Sequence, residues 1–169
     1  DYCTYELYKL NLYGRQEYVS DKLRYYYCDL VNAPEVKEIM DDKYKCYQTF
    51  KPYYKRECIL IKDDSDKQLF FNFLHTHGKV IVKPYNEHSG HGIEIIDESE
   101  INIESFFKSK IAKGSFVVEE LIQQGKELSD LHPNSINTLR VVTFKNKDKV
   151  IIIGITIRIG CGGAVVDNA

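Results

Sequence analysis

The sequence lacks a long hydrophobic run, an excess of either charge and a paired-cysteine motif, and each absence narrows what the chain can do. Its longest apolar stretch, residues 150–159, is interrupted by Thr156 and Arg158. That is far short of the roughly 20 residues a membrane-spanning helix needs, and no signal peptide opens the chain, so no membrane insertion is expected. Lysine and arginine total 23 against 25 acidic residues. No global positive field would hold a nucleic acid or an anionic membrane surface, and any anion site has to be built locally. Cys3, Cys28, Cys46, Cys58 and Cys161 are odd in number and widely spaced, without a C-x-x-C pair for zinc or redox work. They read as isolated reduced thiols of a cytoplasmic protein.

What is present suits a globular chain. With 169 residues, 43% of them hydrophobic, it can bury a real core as one domain or two small lobes. It opens on Asp1 and stops in a polar turn directly after a strand, and is expected to be a piece of a larger protein.

Residues 2–31 carry most of the thirteen tyrosines. Leu7, Leu10, Leu23 and Leu30, with interleaved tyrosines, fit amphipathic helices, and the simplest account is a packed helical lead-in whose tyrosines bury a ring and keep a wet hydroxyl. A turn at 32–34 leads to a short helix. A second helix begins near Asp41 or Asp42, either of which can cap it, so Lys43 falls in its first turn. Further on, "KRECILI" reads as a strand and "DSDKQLFFNFLHTH" as a helix ended by Gly78. Strands are expected at 79–83, 92–96 and 115–121, with a helix over 101–112 between the last two. The final third, "INTLRVVTF", "KNKDK" and "VIIIGITIRIG", predicts a long hairpin. The mixture points to an α+β architecture with antiparallel sheet.

Three stretches carry chemistry. In "KVIVKPYNEHSGHGIEII", Pro84 stops the strand and leaves Lys83 at its mouth. Ser89, Gly90 and Gly92 let the following loop bend closely over a ligand and turn N–H groups toward it, as glycine-bearing loops do for phosphates. The spacing is not that of the P-loop, and an ordinary hairpin with a polar loop is the competing reading. His88 and His91 form H-x-x-H, but without acidic or thiol partners they read as solvated or phosphate-facing rather than as a zinc site.

In "SFVVEELIQQGKELS", a strand ends in Glu119 and Glu120, and the chain runs through Leu121 to Glu127. Strand ends expose backbone groups that can read an adenine edge, and a carboxylate a few residues on can accept ribose hydroxyls. Acidic residues meeting water are the plainer alternative. In the hairpin, a three-residue turn at 146–148 would bring Thr138, Arg140 and Val142 onto one face with Gly154, Thr156 and Arg158. Two arginines sharing a face call for an anion or carboxylates between them.

Together "DDKYKCYQTF", "VIVKPYNEHSGHGIEII", "FVVEELIQQ", "LHPNSINTLRVVTF" and "IRIGCGGAVVDNA", in that order, resemble the ATP-grasp superfamily, most specifically its sugar-transfer-associated, carboxylate–amine ligase-like family. The resemblance implies two small lobes with antiparallel sheets clasping a nucleotide. It divides the chain into a helical lead-in at 1–40, a nucleotide-binding lobe with a phosphate flap at 41–122, and the start of a second lobe at 123–169. It implies ATP and Mg²⁺ as cofactors. Lys43 and Lys83 match lysines placed against ATP phosphates, the loop at 87–92 the flap, Glu119, Glu120 and Leu121 the adenine-contacting segment, and Glu127 the ribose partner. Arg140, Arg158 and Asn137 match positions near the γ-phosphate or an acyl phosphate. The implied reaction is ATP-dependent joining of a small-molecule carboxylate to an amine, in polysaccharide or cell-surface biosynthesis. A phosphotransferase or a noncatalytic nucleotide- or partner-binding fragment is the alternative. The family's late acidic residue and E-x-N metal element have no match before Ala169, although Asp167 and Asn168 stand near that place, and the metal ligands are left open.

Overall fold

The computed structural model describes residues 6–85 and 92–162. The chain divides into two compact units, Asp1–Thr49 and Phe50–Ala169. That division falls at 49/50, whereas boundaries at 40/41 and 122/123 were expected.

In the first unit, a 3₁₀ turn at Leu7–Lys9 is followed by α1 (Leu12–Arg15), α2 (Asp21–Val31), α3 (Pro34–Asp41) and the start of α4 (Lys43–Tyr54). Each start follows from local chemistry. The Asn11 side chain accepts from the Gly14 N–H at 2.9 Å, Ser20 from Leu23 at 3.3 Å, and Pro34 occupies the first turn of α3, where its missing N–H costs nothing. Asp42 caps α4 by accepting from the N–H groups of Tyr44 at 3.0 Å and Lys45 at 2.8 Å. The expectation that the tyrosines of this region bury their rings is corrected: Tyr13 is 81% exposed and Tyr25 61%. Short helices with polar faces give such rings little to pack against.

α4 bends at Phe50, whose backbone (φ −108°, ψ 18°) leaves the helical region, because Pro52 removes a donor and crowds the preceding turn. The second unit then builds a four-stranded sheet from β1 (Cys58–Ile61), β2 (Lys79–Pro84), β3 (Glu94–Asp97) and β4 (Phe116–Glu120), in the order β1-β4-β2-β3 with every neighbouring pair antiparallel. Helices α5 (Lys67–His77) and α6 (Ile103–Ile111) carry the chain between strands that are not neighbours.

Alternation sorts the strands into two faces. Ile61, Val80, Val82, Ile96, Phe116 and Val118 pack against Phe70, Phe73 and Leu74 of α5 and Phe107 of α6, forming the core. Phe70 is fully buried, stacking near Phe106 and meeting Phe116 edge-on at 5.9 Å. Cys58, Val117, Glu119, Ile81, Lys83 and Ile95 therefore belong to the opposite face, the one that carries the site.

The unit ends with α7 (Lys126–Ser129) and a separate two-stranded hairpin, β5 (Thr138–Asn146) and β6 (Lys149–Arg158). Its turn has two residues, Lys147 and Asp148, with Lys147 at φ 51°, and not the three expected. A register shift at Val142/Thr143 leaves Ile153 unpaired, so that Arg140 faces Thr156 and Thr138 faces Arg158. The extra residue restores the parity that the shorter turn removes. Among the described residues, no helix is long and apolar enough to cross a membrane.

Candidate functional site

A cavity of about 380 Å³ lies between the second face of the sheet and the segment 121–136. From the sheet come Ile81, Lys83, Ile95 and Glu119, and from the returning chain Leu121, Ile122, Gln124, Ser129 and Pro133 to Ile136. The wall is mainly aliphatic, with one cation, the carboxylates of Glu119 and Glu120, and a few amide and hydroxyl groups, a lining that can take a flat ring with a few fixed polar contacts.

Lys83 reaches the cavity because β2 is held in register with β4 (Lys83 opposite Val117, Ile81 opposite Glu119) and ends one residue later at Pro84. Its Nζ lies 2.8 Å from Glu119 Oε1. The other oxygen of that carboxylate accepts from Arg56 Nε at 3.0 Å and pairs with Arg56 Nη2 at 2.9 Å. Glu119 is only 5% exposed, so its charge depends on these two cations rather than on water. Opposite it on β1 stands Cys58, whose thiol is pushed up to about 12 by burial and then by the Glu119 carboxylate. It stays protonated and adds no second negative charge. Glu120 turns away from this cluster, its Oε2 accepting from the Glu57 N–H at 3.2 Å.

The chain resumes beside Pro84 at Gly92. That residue holds φ +68°, and a Cβ there would stand 2.8 Å from Pro84 Cγ, so only glycine lets the returning chain lie on the proline ring. Ser89 and Gly90, with Glu87, His88 and His91, lie outside the described residues.

Asn137 organises the far wall. Its Nδ2 donates to the carbonyls of Leu128 at 2.7 Å and His132 at 3.1 Å, and its Oδ1 accepts from the Gly160 N–H at 3.2 Å and the Ser135 hydroxyl at 3.1 Å. Its own carbonyl accepts from Gln124 Nε2 at 2.6 Å. At 2% exposure, the amide spends its hydrogen-bonding atoms inside the protein, tying the cavity-lining loop to the end of the hairpin.

The expected site residues thus divide. Lys83, Glu119, Glu120 and Leu121 line one cavity. Glu127 is exposed on α7, outside the lining. Arg140 and Arg158 lie on the hairpin that begins just past Ile136, on one face as expected, and do not line the cavity. Lys43 is the first residue of α4, in the other unit. Asp167 and Asn168 lie outside the described residues. Sequence reasoning missed Arg56 and the polar knot of Gln124, His132 and Ser135. Arg56 stands two residues before β1, as Lys83 stands one residue before the end of β2, and that placement is the only signal it gave.

Comparison with known proteins adds two findings. The family described as sugar-transfer associated ATP-grasp matches residues 22–169. The fold is similar to the crystal structure of D-alanyl-alanine synthetase A from Vibrio cholerae O1 biovar eltor, with a TM-score of 0.56 at 12% identity, over 78% of this chain and 38% of that one. The chain therefore spans well under half the length of that protein, and the likeness is one of fold. No curated relative matches the sequence.

Proposed function

We propose, since this chain belongs to the sugar-transfer associated ATP-grasp family, that it binds ATP in the cavity beneath Lys83 and serves an ATP-dependent ligase. The observation that carries this reading is one lysine, held near the end of β2, lining a mainly aliphatic cavity that the chain leaving β4 also lines. Ile81, Ile95, Leu121 and Ile122 offer an apolar bed for a purine ring, and the chain leaving β4 at Glu120 and Leu121 offers backbone groups to its edge. Lys83 then meets the phosphates. Ser89, Gly90 and Gly92 bring loop N–H groups over them, and Lys43 supplies a second cation, as the family resemblance implies.

The chemistry asks the protein to position reactants and neutralise charge, with no covalent nucleophile. A substrate carboxylate attacks the γ-phosphate to give an acyl phosphate and ADP, and an amine then displaces phosphate. Arg140 and Arg158 are assigned to the charge that develops on the transferred group, and Glu127 to the ribose. Asn137 is assigned to this centre through the wall it holds together, since its amide is engaged within the protein. Among the described residues, no group of three or more His, Cys, Asp and Glu side chains is arranged for a metal ion. No step is assigned to Mg²⁺. The role in polysaccharide or cell-surface biosynthesis, inside the cytoplasm, belongs to the same proposal.

Calorimetric titration with Mg-ATP tests it, using this chain and its Lys83→Ala variant. Binding by the wild type that disappears in the variant supports the site. A wild type that takes up no nucleotide overturns the reading and leaves a partner-binding module.

A further inference from the structure

We infer that Arg56 is a positioning residue for Lys83, setting how firmly that lysine is held by Glu119 and so how readily it turns to an anion in the cavity. The inference rests on the nucleotide-site reading above, and extends it to a residue behind the cavity wall.

Three side chains form a chain of charge: Lys83 Nζ to Glu119 Oε1 at 2.8 Å, then Glu119 Oε2 to Arg56 Nε at 3.0 Å and Nη2 at 2.9 Å. Two cations share one buried carboxylate, so the cluster carries a net positive charge. The two cations are not held alike. Arg56 makes an N–H···O bond and a second ion-pair contact to one oxygen and lays its guanidinium over the Tyr54 ring at 4.5 Å. Lys83 has one contact to Glu119 on a flexible stem, and lines the cavity. An arriving anion therefore draws away Lys83 while Arg56 stays behind.

That exchange works only because Arg56 remains. With it present, Glu119 keeps a partner when Lys83 leaves. Without it, every departure of Lys83 would strand a nearly water-free carboxylate, so Glu119 would keep the lysine and leave the cavity without its cation. Arg56 lies 63 residues from Glu119 in sequence and outside the cavity, where its effect on an anion passes through Glu119 and Lys83.

The test reads the availability of Lys83 without needing a bound nucleotide. Folded protein at mildly alkaline pH is treated with an N-hydroxysuccinimidyl acetate, and acetylation of Lys83 is timed by peptide mass spectrometry. Arg56→Ala is expected to slow it about fivefold, on the scale of a partly buried ion pair, and Arg56→Lys by less. Glu119→Gln is expected to speed it, and Arg56→Ala with Glu119→Gln to react at least as fast as wild type. A loosened fold would speed every variant, so the opposite signs separate positioning from damage. If Arg56→Ala leaves the rate unchanged or raises it, the inference is overturned. Added ATP supplies the second arm. Rates in the expected order without ATP protection of Lys83 would uphold the positioning role and remove the nucleotide reading, whereas protection without that order would do the reverse.

Discussion

Lys83 Nζ stands 2.8 Å from Glu119 Oε1, with the lysine side chain 21% exposed and the glutamate side chain 7%. The pair is asymmetric, because water can reach the cation far better than the anion. Removing the carboxylate and removing the cations should therefore differ in cost. Glu119→Gln is expected to lower unfolding free energy by about 1 kcal/mol, and Lys83→Met combined with Arg56→Met by about 3 kcal/mol or more, since the latter leaves a buried charge alone. Urea denaturation of both variants decides it, and equal losses would refute the view that the cluster is organised around a dry carboxylate.

Gly92 is expected to resist any side chain. At φ +68° with Pro84 Cγ 2.8 Å from a would-be Cβ, Gly92→Ala should cost about 1–3 kcal/mol from backbone strain and overlap together. Pro84→Ala in the same chain should return the part due to overlap, visible as a coupling energy in a double-mutant cycle. Additive costs would mean that the two residues do not press on one another.

Asn137→Ala removes a side chain that satisfies two carbonyls, a hydroxyl and the Gly160 N–H. Those groups would be left buried, so a loss of about 3 kcal/mol or more is expected, against roughly 1 kcal/mol for Ser135→Ala, which leaves fewer partners behind. Thermal unfolding of the two variants gives the order, and an Asn137→Ala protein as stable as wild type would remove its role as the tie between loop and hairpin.

Cys58 gives the fold an alkaline weakness. Its thiol ionises near 9.0 in the unfolded chain and is pushed up to about 12 in the folded one. Between those values the folded state binds more protons, so rising pH favours unfolding: the contribution is whole below about 9 and is lost toward 12. The stability gap between wild type and Cys58→Ala should accordingly narrow as pH climbs through that interval. Urea midpoints measured at several pH values test this, and two curves that stay parallel would count against it.

The elements themselves were legible because their causes are local. Pro84 ends β2, Gly78 ends α5 and Asp42 caps α4, as nearest-neighbour chemistry requires. Lys83 could be singled out on the same grounds. Glu119 could be named as a strand-end carboxylate but not as the partner of Lys83, since it is 36 residues away and nothing in the alternation of β4 says which strand will lie beside it. The tyrosine-rich start misled for a related reason: helical spacing shows which side chains share a face, and only packing shows whether anything covers it.

The sequence by itself determined the order of helices and strands, the aliphatic alternation that splits the sheet into two faces, and the lysine at a strand mouth followed by a glycine-bearing loop. These follow from backbone sterics and side-chain periodicity within a few residues. Tertiary structure alone decided that Arg56 and Lys83 share one buried carboxylate, that Asn137 spends its amide inside the protein, and that an unpaired Ile153 brings Arg140 and Arg158 onto one face despite a two-residue turn. Each depends on which strand pairs with which and in what register, a choice made by burying the phenylalanine core of α5 and α6 against one face of the sheet.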